Sequence, residues 1–311
     1  MRFAILLESQ EGLTWPHVLA VAERAEAVGL DGLYLSDHFA PVDASSGREV
    51  LPAWPVVAVL ADRTSRIRLG TLVSPITFRH PVDLCKQVVA LEHLAGPRID
   101  LGLGAAWHEA EHRLFGFDFP APSVRVDRLG EALAVVADLW TGDPVERTGE
   151  HFTVAGGSLI PRPLSSVPPL VLGGSRPRML HLAAQYAKEW NCFYTGIADY
   201  VGLRDAFESA CTSVGRDSSS VRRSLMTPLL VGRTTAEVDG RLAANRRVFA
   251  SLPADREAWR ASGFPGGTVA ELTEQVQAWS ALGVERIIFE HNDPTDLDAL
   301  ELLAEIQSSL A

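Results

Sequence analysis

The residues of this 311-residue chain that could do chemistry fall in a few short runs. Ser36-Asp37-His38-Phe39 sets a carboxylate beside an imidazole. Neighbours in extended chain point to opposite faces, so Asp37 and His38 need not pair. His38 reads as a general acid or base, or as a hydrogen-bond donor to a bound ring; the competing reading is a structural histidine satisfied by backbone. Gly173-Gly174-Ser175-Arg176 is the clearest anion signal. Two glycines let backbone approach a ligand, a following helix offers free N–H groups, and Ser175, Arg176 and Arg178 add a hydroxyl and charge. The competing reading is a tight turn with solvent arginines. Gly102-Leu103-Gly104 lacks the third glycine of a dinucleotide fingerprint and fits close packing at a strand end equally well. His108, Glu109, Glu111 and His112 lie close together, but not at the H-E-x-x-H zinc spacing, and read as surface helix charge. No Gly-x-Ser-x-Gly occurs, so a serine hydrolase has no support.

The elements that must position these residues alternate from end to end. Short apolar runs, patterned as strands buried on both faces, occur at 2–7, 32–36, 67–73, 99–104, 169–172, 189–192, 224–231 and 286–290. Helical spacing occupies 14–28, 54–63, 81–95, 124–140, 177–187, 199–214, 268–282 and 297–310. Thr14 reads as a helix cap, and Thr268 with Glu271 as a capping box. Strict alternation predicts a parallel sheet, and eight strands favour a closed (β/α)₈ barrel over an open doubly wound sheet. The expectation is one barrel domain over 1–311, with insertions near 142–168 (an extra hairpin) and 233–267 (an extra helix). In such a barrel the active site lies at the C-terminal strand ends. That rule selects Glu8 and Ser9, the run 36–39, Val73-Ser74-Pro75, Gly104 with Trp107 and His108, the turn 173–176, Asn191, and Glu290-His291.

Composition excludes several classes. Hydrophobic residues make up 47% and charged residues 22%, enough to bury a core and too apolar for a disordered chain. The net charge of −11 argues against broad nucleic-acid or anionic-membrane binding. Cys85, Cys192 and Cys211 are odd in number and form no C-x-x-C, so neither a disulfide framework nor a zinc knuckle is indicated. No apolar run reaches the ~18 residues of a membrane span. No metal is expected, and a soluble cytoplasmic protein acting on a small molecule is the simplest expectation.

Taken together, these runs resemble the bacterial-luciferase-like superfamily of barrels, in the branch that uses the 8-hydroxy-5-deazaflavin coenzyme F420. The resemblance runs nearly end to end. Its most specific pieces are Ser36-Asp37-His38-Phe39, Leu69-Gly70-Thr71-Leu72-Val73 with Thr77-Phe78-Arg79-His80-Pro81, and Leu101 to Trp107 with Glu109-Ala110-Glu111-His112. The Gly173-Gly174-Ser175 turn and Glu189-Trp190-Asn191 complete it. The resemblance implies a luciferase-like (β/α)₈ barrel with deazaflavin or flavin in its mouth. It implies a non-prolyl cis peptide at Leu72–Val73 in a bulge of the third strand. His38 would lie near the ring as the proton partner or orienter, and Asp37 would fix the ring or the bulge. Leu72, Val73, Gly104, Trp107 and Asn191 would line the cofactor, and Gly173, Gly174, Ser175 and Arg176 would hold its phosphate. It also implies a homodimer.

The implied activity is hydride transfer between F420 and a small organic substrate. An FMN-dependent monooxygenase is the alternative, and a non-catalytic ligand-binding barrel a second one. The sequence departs from the branch's sugar-phosphate dehydrogenases. They carry Trp after the Ser-Asp-His-Phe run, where Ala40-Pro41 here is followed by Val42. They also carry Glu after Gly-x-Gly, where Ala105 stands here. Glu8 and Glu109 are the candidate substitutes for that acid.

Overall fold

The computed structural model describes residues 1–310. Eight parallel strands close into a barrel. They are β1 (Arg2–Leu7), β2 (Gly32–Leu35), β3 (Arg68–Pro75), β4 (Ile99–Gly104), β5 (Leu170–Gly173), β6 (Glu189–Phe193), β7 (Arg222–Pro228) and β8 (Arg286–Glu290). Each pairs with its chain neighbour in this set, and β8 closes on β1 through Arg2↔Arg286 to Leu6↔Glu290. The eight expected helices are present within a few residues of their expected ends. The box of Thr268 and Glu271 forms in full, whereas Thr14 precedes its helix without a side-chain cap bond. Pro16 in the first turn of that helix removes one of the donors a cap would serve.

Burial on both faces explains the apolar strands. On β1, Phe3, Ile5 and Leu7 join the large core between barrel and helices. Ala4 and Leu6 point inward and pack with Tyr34, Leu72, Val171 and Ile288. At the N-terminal end the interior is closed by a polar plug. Arg286 donates to Asp31 at 2.8 Å, to the Tyr34 hydroxyl at 2.6 Å and to Glu189. Asp100 accepts from the Tyr34 hydroxyl at 2.7 Å and from Arg68 Nε at 2.8 Å. These buried charges are paired on several sides, as burial demands.

Both insertions fold as separate additions. The first forms an antiparallel hairpin, Val145–Thr148 with Thr153–Gly157. The second holds two helices, Thr235–Val248 and Arg256–Ser262, one more than expected. Leu230, Val238, Leu242, Leu252 and Trp259 give it a small core of its own. The run expected as one strand over 224–231 ends at Pro228; Val231–Gly232 instead pairs with Gly267–Thr268 at the base of this insertion.

Candidate active site

At the C-terminal strand ends lies a cavity of about 530 Å³. Inward-facing residues of β1, β2 and β8 place Glu8, Ser36 with His38, and Glu290 on its wall. Leu72, Val73, Leu103, Met179, Phe193, Met226 and Leu252 give it an apolar lining. Phe249, Ser251 and Leu252 come from the second insertion, which therefore covers one side of the mouth. No residue of the hairpin lines it.

The wall beside β3 is irregular. The β3–β4 register shifts between Thr71 and Ser74, and the Leu72–Val73 peptide is cis. The glycines of β4 are needed for this shape. A Cβ on residue 102 would fall 2.1 Å from the Thr71 carbonyl oxygen, and one on residue 104 would fall 2.6 Å from Val73 Cγ2. Close packing against the bulge thus accounts for Gly102-x-Gly104. Gly104 also borders the cavity.

Asp37 is not on the cavity wall. Residues 33, 35 and 37 face away from the barrel interior while 34, 36 and 38 face in, and Asp37 is fully buried on the outer side. There it accepts from Ser74 Oγ at 2.6 Å and from Arg79 at 2.6 and 3.0 Å. Ser74 in turn accepts from Trp54 Nε1 at 3.0 Å. Of the two roles expected for Asp37, the geometry therefore assigns it the bulge.

The reading of His108, Glu109, Glu111 and His112 as surface charge fails for three of the four. Their helix begins at Glu109 and turns one face inward. Glu111 is 1% exposed and His112 fully buried, and His108 is buried too. Glu111 Oε1 meets His38 Nδ1 at 2.9 Å, and Oε2 accepts from the Phe39 backbone N–H at 2.9 Å. His112 meets Thr77 Oγ1 at 2.6 Å. Glu109 is exposed and does not line the cavity, so it is no substitute acid.

His38 is thus held by its Nδ1, leaving Nε2 as the nitrogen open to a ligand. Trp107, 61% exposed, stands edge-on to the imidazole with centroids 5.4 Å apart. Burial of His38 disfavours its charge, but the hydrogen bond and charge of Glu111, with Glu8 and Asp37, outweigh it and raise the pKa above 6.5. Glu111 is held below the usual glutamate value: burial opposes this, and the bonds from His38 and Phe39 prevail.

Glu8 and Glu290 form a second cluster. Glu8 accepts from Gln10 Nε2 at 2.5 Å, and Glu290 accepts from the Tyr194 hydroxyl. Burial, reinforced by the charge of Glu8, pushes Glu290 up to about 8. Burial raises Glu8 as well, against the pull of His38. Among the described residues Tyr194 and Ala106 are the two non-glycine residues with positive φ, +47° and +66°, and both line the cavity. Such conformations are uncommon and concentrate at functional sites. Neither Glu290 nor Tyr194 was singled out from sequence beyond the strand-end position of Glu290.

The turn after β5 sits where the anion reading placed it. Gly173 and Gly174 border the cavity, while Ser175 and Arg176 lie outside its wall, exposed at the start of helix Pro177–Tyr186. Gly174 has φ +126°, and a Cβ there would fall 2.8 Å from Met179 Cβ. Trp190 Nε1 donates to the Gly174 carbonyl at 3.0 Å and holds the turn. Asn191 lines the cavity and donates to Ser224 Oγ at 2.9 Å.

A family model described as luciferase-like monooxygenase matches residues 1–287. The chain belongs to the luciferase-like monooxygenase family. It is similar to an F420-dependent hydroxymycolic acid dehydrogenase of Mycobacterium tuberculosis, 29% identical over 225 residues, which are 72% of this chain and 61% of that protein. It is similar to an F420-dependent glucose-6-phosphate dehydrogenase of Amycolatopsis mediterranei, 32% identical over 155 residues, 49% of this chain and 46% of the relative. The chain thus spans about half to three-fifths of the length of these curated relatives. A solved F420-dependent secondary alcohol dehydrogenase, in complex with an F420–acetone adduct, matches with a TM-score of 0.84 at 19% identity over the whole of both chains. At that identity the likeness is one of fold.

Within this family the chain's departures now have places. Val42 and Ala105 both line the cavity, so small apolar side chains stand where the sugar-phosphate branch is expected to carry Trp and Glu. Among the described residues no group of His, Cys, Asp and Glu could hold a metal ion, and no helix is long and apolar enough to cross a membrane.

Proposed function

We propose that this chain is an oxidoreductase that moves hydride between coenzyme F420 and a small organic substrate, with residues 1–311 acting as one barrel domain. One observation carries the reading: His38, fixed by Glu111, shares a single cavity with the Leu72–Val73 bulge and the Gly173–Gly174 turn. The residues fit the cofactor. The apolar bulge, Gly104 and Trp107 offer surface for a flat ring, and Asn191 a polar group. Gly174 leaves a backbone cradle that a Cβ would fill, beside the exposed Ser175 and Arg176 that suit its phosphate. When bound, the deazaflavin supplies hydride transfer at its C5.

The chain's own groups do the rest. Asp37 and Arg79 keep the bulge in shape from behind. Glu111 fixes the orientation of His38 and favours its charged form, so Nε2 gives a proton to a substrate oxygen or nitrogen in the reducing direction. Phe249 and Leu252 restrict water at the mouth. The second reading, an FMN-dependent monooxygenase, is favoured by the matched family's own description, and the same turn would suit the phosphate of FMN.

Fluorescence titration of the purified apoprotein with F420 and with FMN separates them. Tight binding of F420 alone supports hydride transfer. Preference for FMN moves the reading to oxygen chemistry. Binding of neither would leave a non-catalytic barrel. The proposal extends to a homodimer in the cytoplasm. Exposed Leu94, Ile160, Leu164 and Val167 beside helix Pro81–Ala95 are side chains such a contact would cover, and light scattering of the purified protein would reveal the dimer.

A further inference from the structure

Two carboxylates, Glu290 buried and Glu8 half-buried, face one mostly apolar cavity, and neither has an ion-pair partner among the described residues. Glu8 and Glu290 come from adjacent strands: Leu6 is paired with Glu290, and Glu8 follows two residues along the same inward face. Each accepts a hydrogen bond from a neutral side chain, Gln10 and the Tyr194 hydroxyl. The other charged groups nearby are already engaged. Glu11 is bound by Arg48 at 2.5 Å, and His38 by Glu111 at 2.9 Å. No lysine or arginine lines the cavity. An unpaired carboxylate in such surroundings is costly to keep and marks a place for a ligand.

We infer that the substrate of this cavity carries a positively charged nitrogen, a protonated amine or an iminium, on an apolar body, and that Glu8 and Glu290 receive it. The inference rests on the reading of this cavity as the substrate site. An alcohol or ketone would satisfy one hydrogen bond without offsetting what burial costs this pair when it ionises. A phosphate or carboxylate would add like charge where no lysine or arginine answers it and where the one cationic side chain of the wall, His38, is already paired with Glu111. The cavity lining is apolar apart from a few polar groups, as expected for a site that binds a largely hydrophobic molecule by one charged contact. The only arginine of the turn after β5 beside the mouth, Arg176, lies outside the wall, where the cofactor phosphate is placed above.

The test uses three probes of one shape and different charge: benzylamine, benzyl alcohol and benzoate. Their binding to the full chain is measured by calorimetry at neutral pH, with and without saturating F420. Benzylamine should bind at least about tenfold more tightly than benzyl alcohol, with benzoate weakest. In the Glu8→Gln, Glu290→Gln double variant the amine should fall to within about threefold of the alcohol. Equal affinity for amine and alcohol in the wild type, or an amine preference that survives in the double variant, would overturn the inference. If the double variant does not fold, the wild type still decides through a second readout. Amine binding should release protons, seen as an enthalpy that differs between phosphate and Tris buffers, and alcohol binding should release none; the same proton release for both, or none for either, would count against it. The cofactor titration is read separately. F420 binding without charge preference sinks this inference alone, and charge preference without F420 binding sinks the proposed function alone.

Discussion

Replacing Glu111 by Gln tests the link between a buried ion pair and proton chemistry. Gln keeps the size and can still accept from the Phe39 N–H, but it removes the charge facing His38 Nδ1 at 2.9 Å. The side chains of the pair are 12% and 1% exposed, so solvent screens it little. A hydrogen bond to a charged group contributes roughly 1.5–3 kcal/mol against about 1 for a neutral one, so the variant should lose about 1–2 kcal/mol. The loss should depend on pH in a set direction. His38 is raised above 6.5, so its share is complete below 6.5 and fades as pH rises through the higher folded value. Glu111 is lowered below 4.5, so its share is complete above 4.5 and fades as pH falls through the lower folded value. The pair is therefore strongest between 4.5 and 6.5. Urea denaturation of both proteins across pH should show the largest difference in that window and a smaller one in alkali. The His38 titration, followed by NMR of the imidazole, should move down toward 6.5 in the variant, and the alkaline limb of the reductive rate should move with it. A stability loss that does not vary with pH, with an unmoved His38 titration, would refute the pairing.

Other substitutions probe the remaining walls. His38→Ala should lower turnover about 10²- to 10⁴-fold while unfolding shifts far less; equal losses in both would remove its role in proton transfer. Asp37→Asn takes the charge from a buried pair with Arg79 and should cost about 3–5 kcal/mol in chemical denaturation; a change near zero would mean the bulge does not depend on this brace. Gly174→Val introduces a side chain at φ +126° against Met179 and should abolish tight cofactor binding in a barrel whose circular dichroism is unchanged; undiminished affinity would take the phosphate away from this turn.

Much of this site follows from parity along the strands. The apolar runs and their spacing located all eight barrel strands, and the strand-end rule put His38, Gly104, Gly173, Asn191 and Glu290 on one rim. Parity also separates Asp37 from His38 and places Glu290 on the face of Ile288. Glu111 was illegible for a different reason. Its helix carries charges on successive positions, Glu109 exposed and Glu111 buried, so the sequence shows a charged helix and not which face meets the barrel. That depends on where the loop after β4 leaves the strand, which is set by packing of Gly102 and Gly104 against the bulge. The second insertion is similar: the Pro- and Gly-rich stretch after Leu252 hides a second short helix, and only its packing through Trp259 brings Phe249 and Leu252 over the mouth.

By itself, then, the sequence determined the barrel, its order of strands and which strand ends meet, because those follow from local periodicity and from alternation along each strand. Only the tertiary structure decided that Glu111 holds His38, that Asp37 works from behind the wall, and that Glu8 and Glu290 share a mostly apolar cavity without a lysine or arginine. Those are contacts between residues tens to hundreds of positions apart, and their strength depends on burial, which no local pattern encodes.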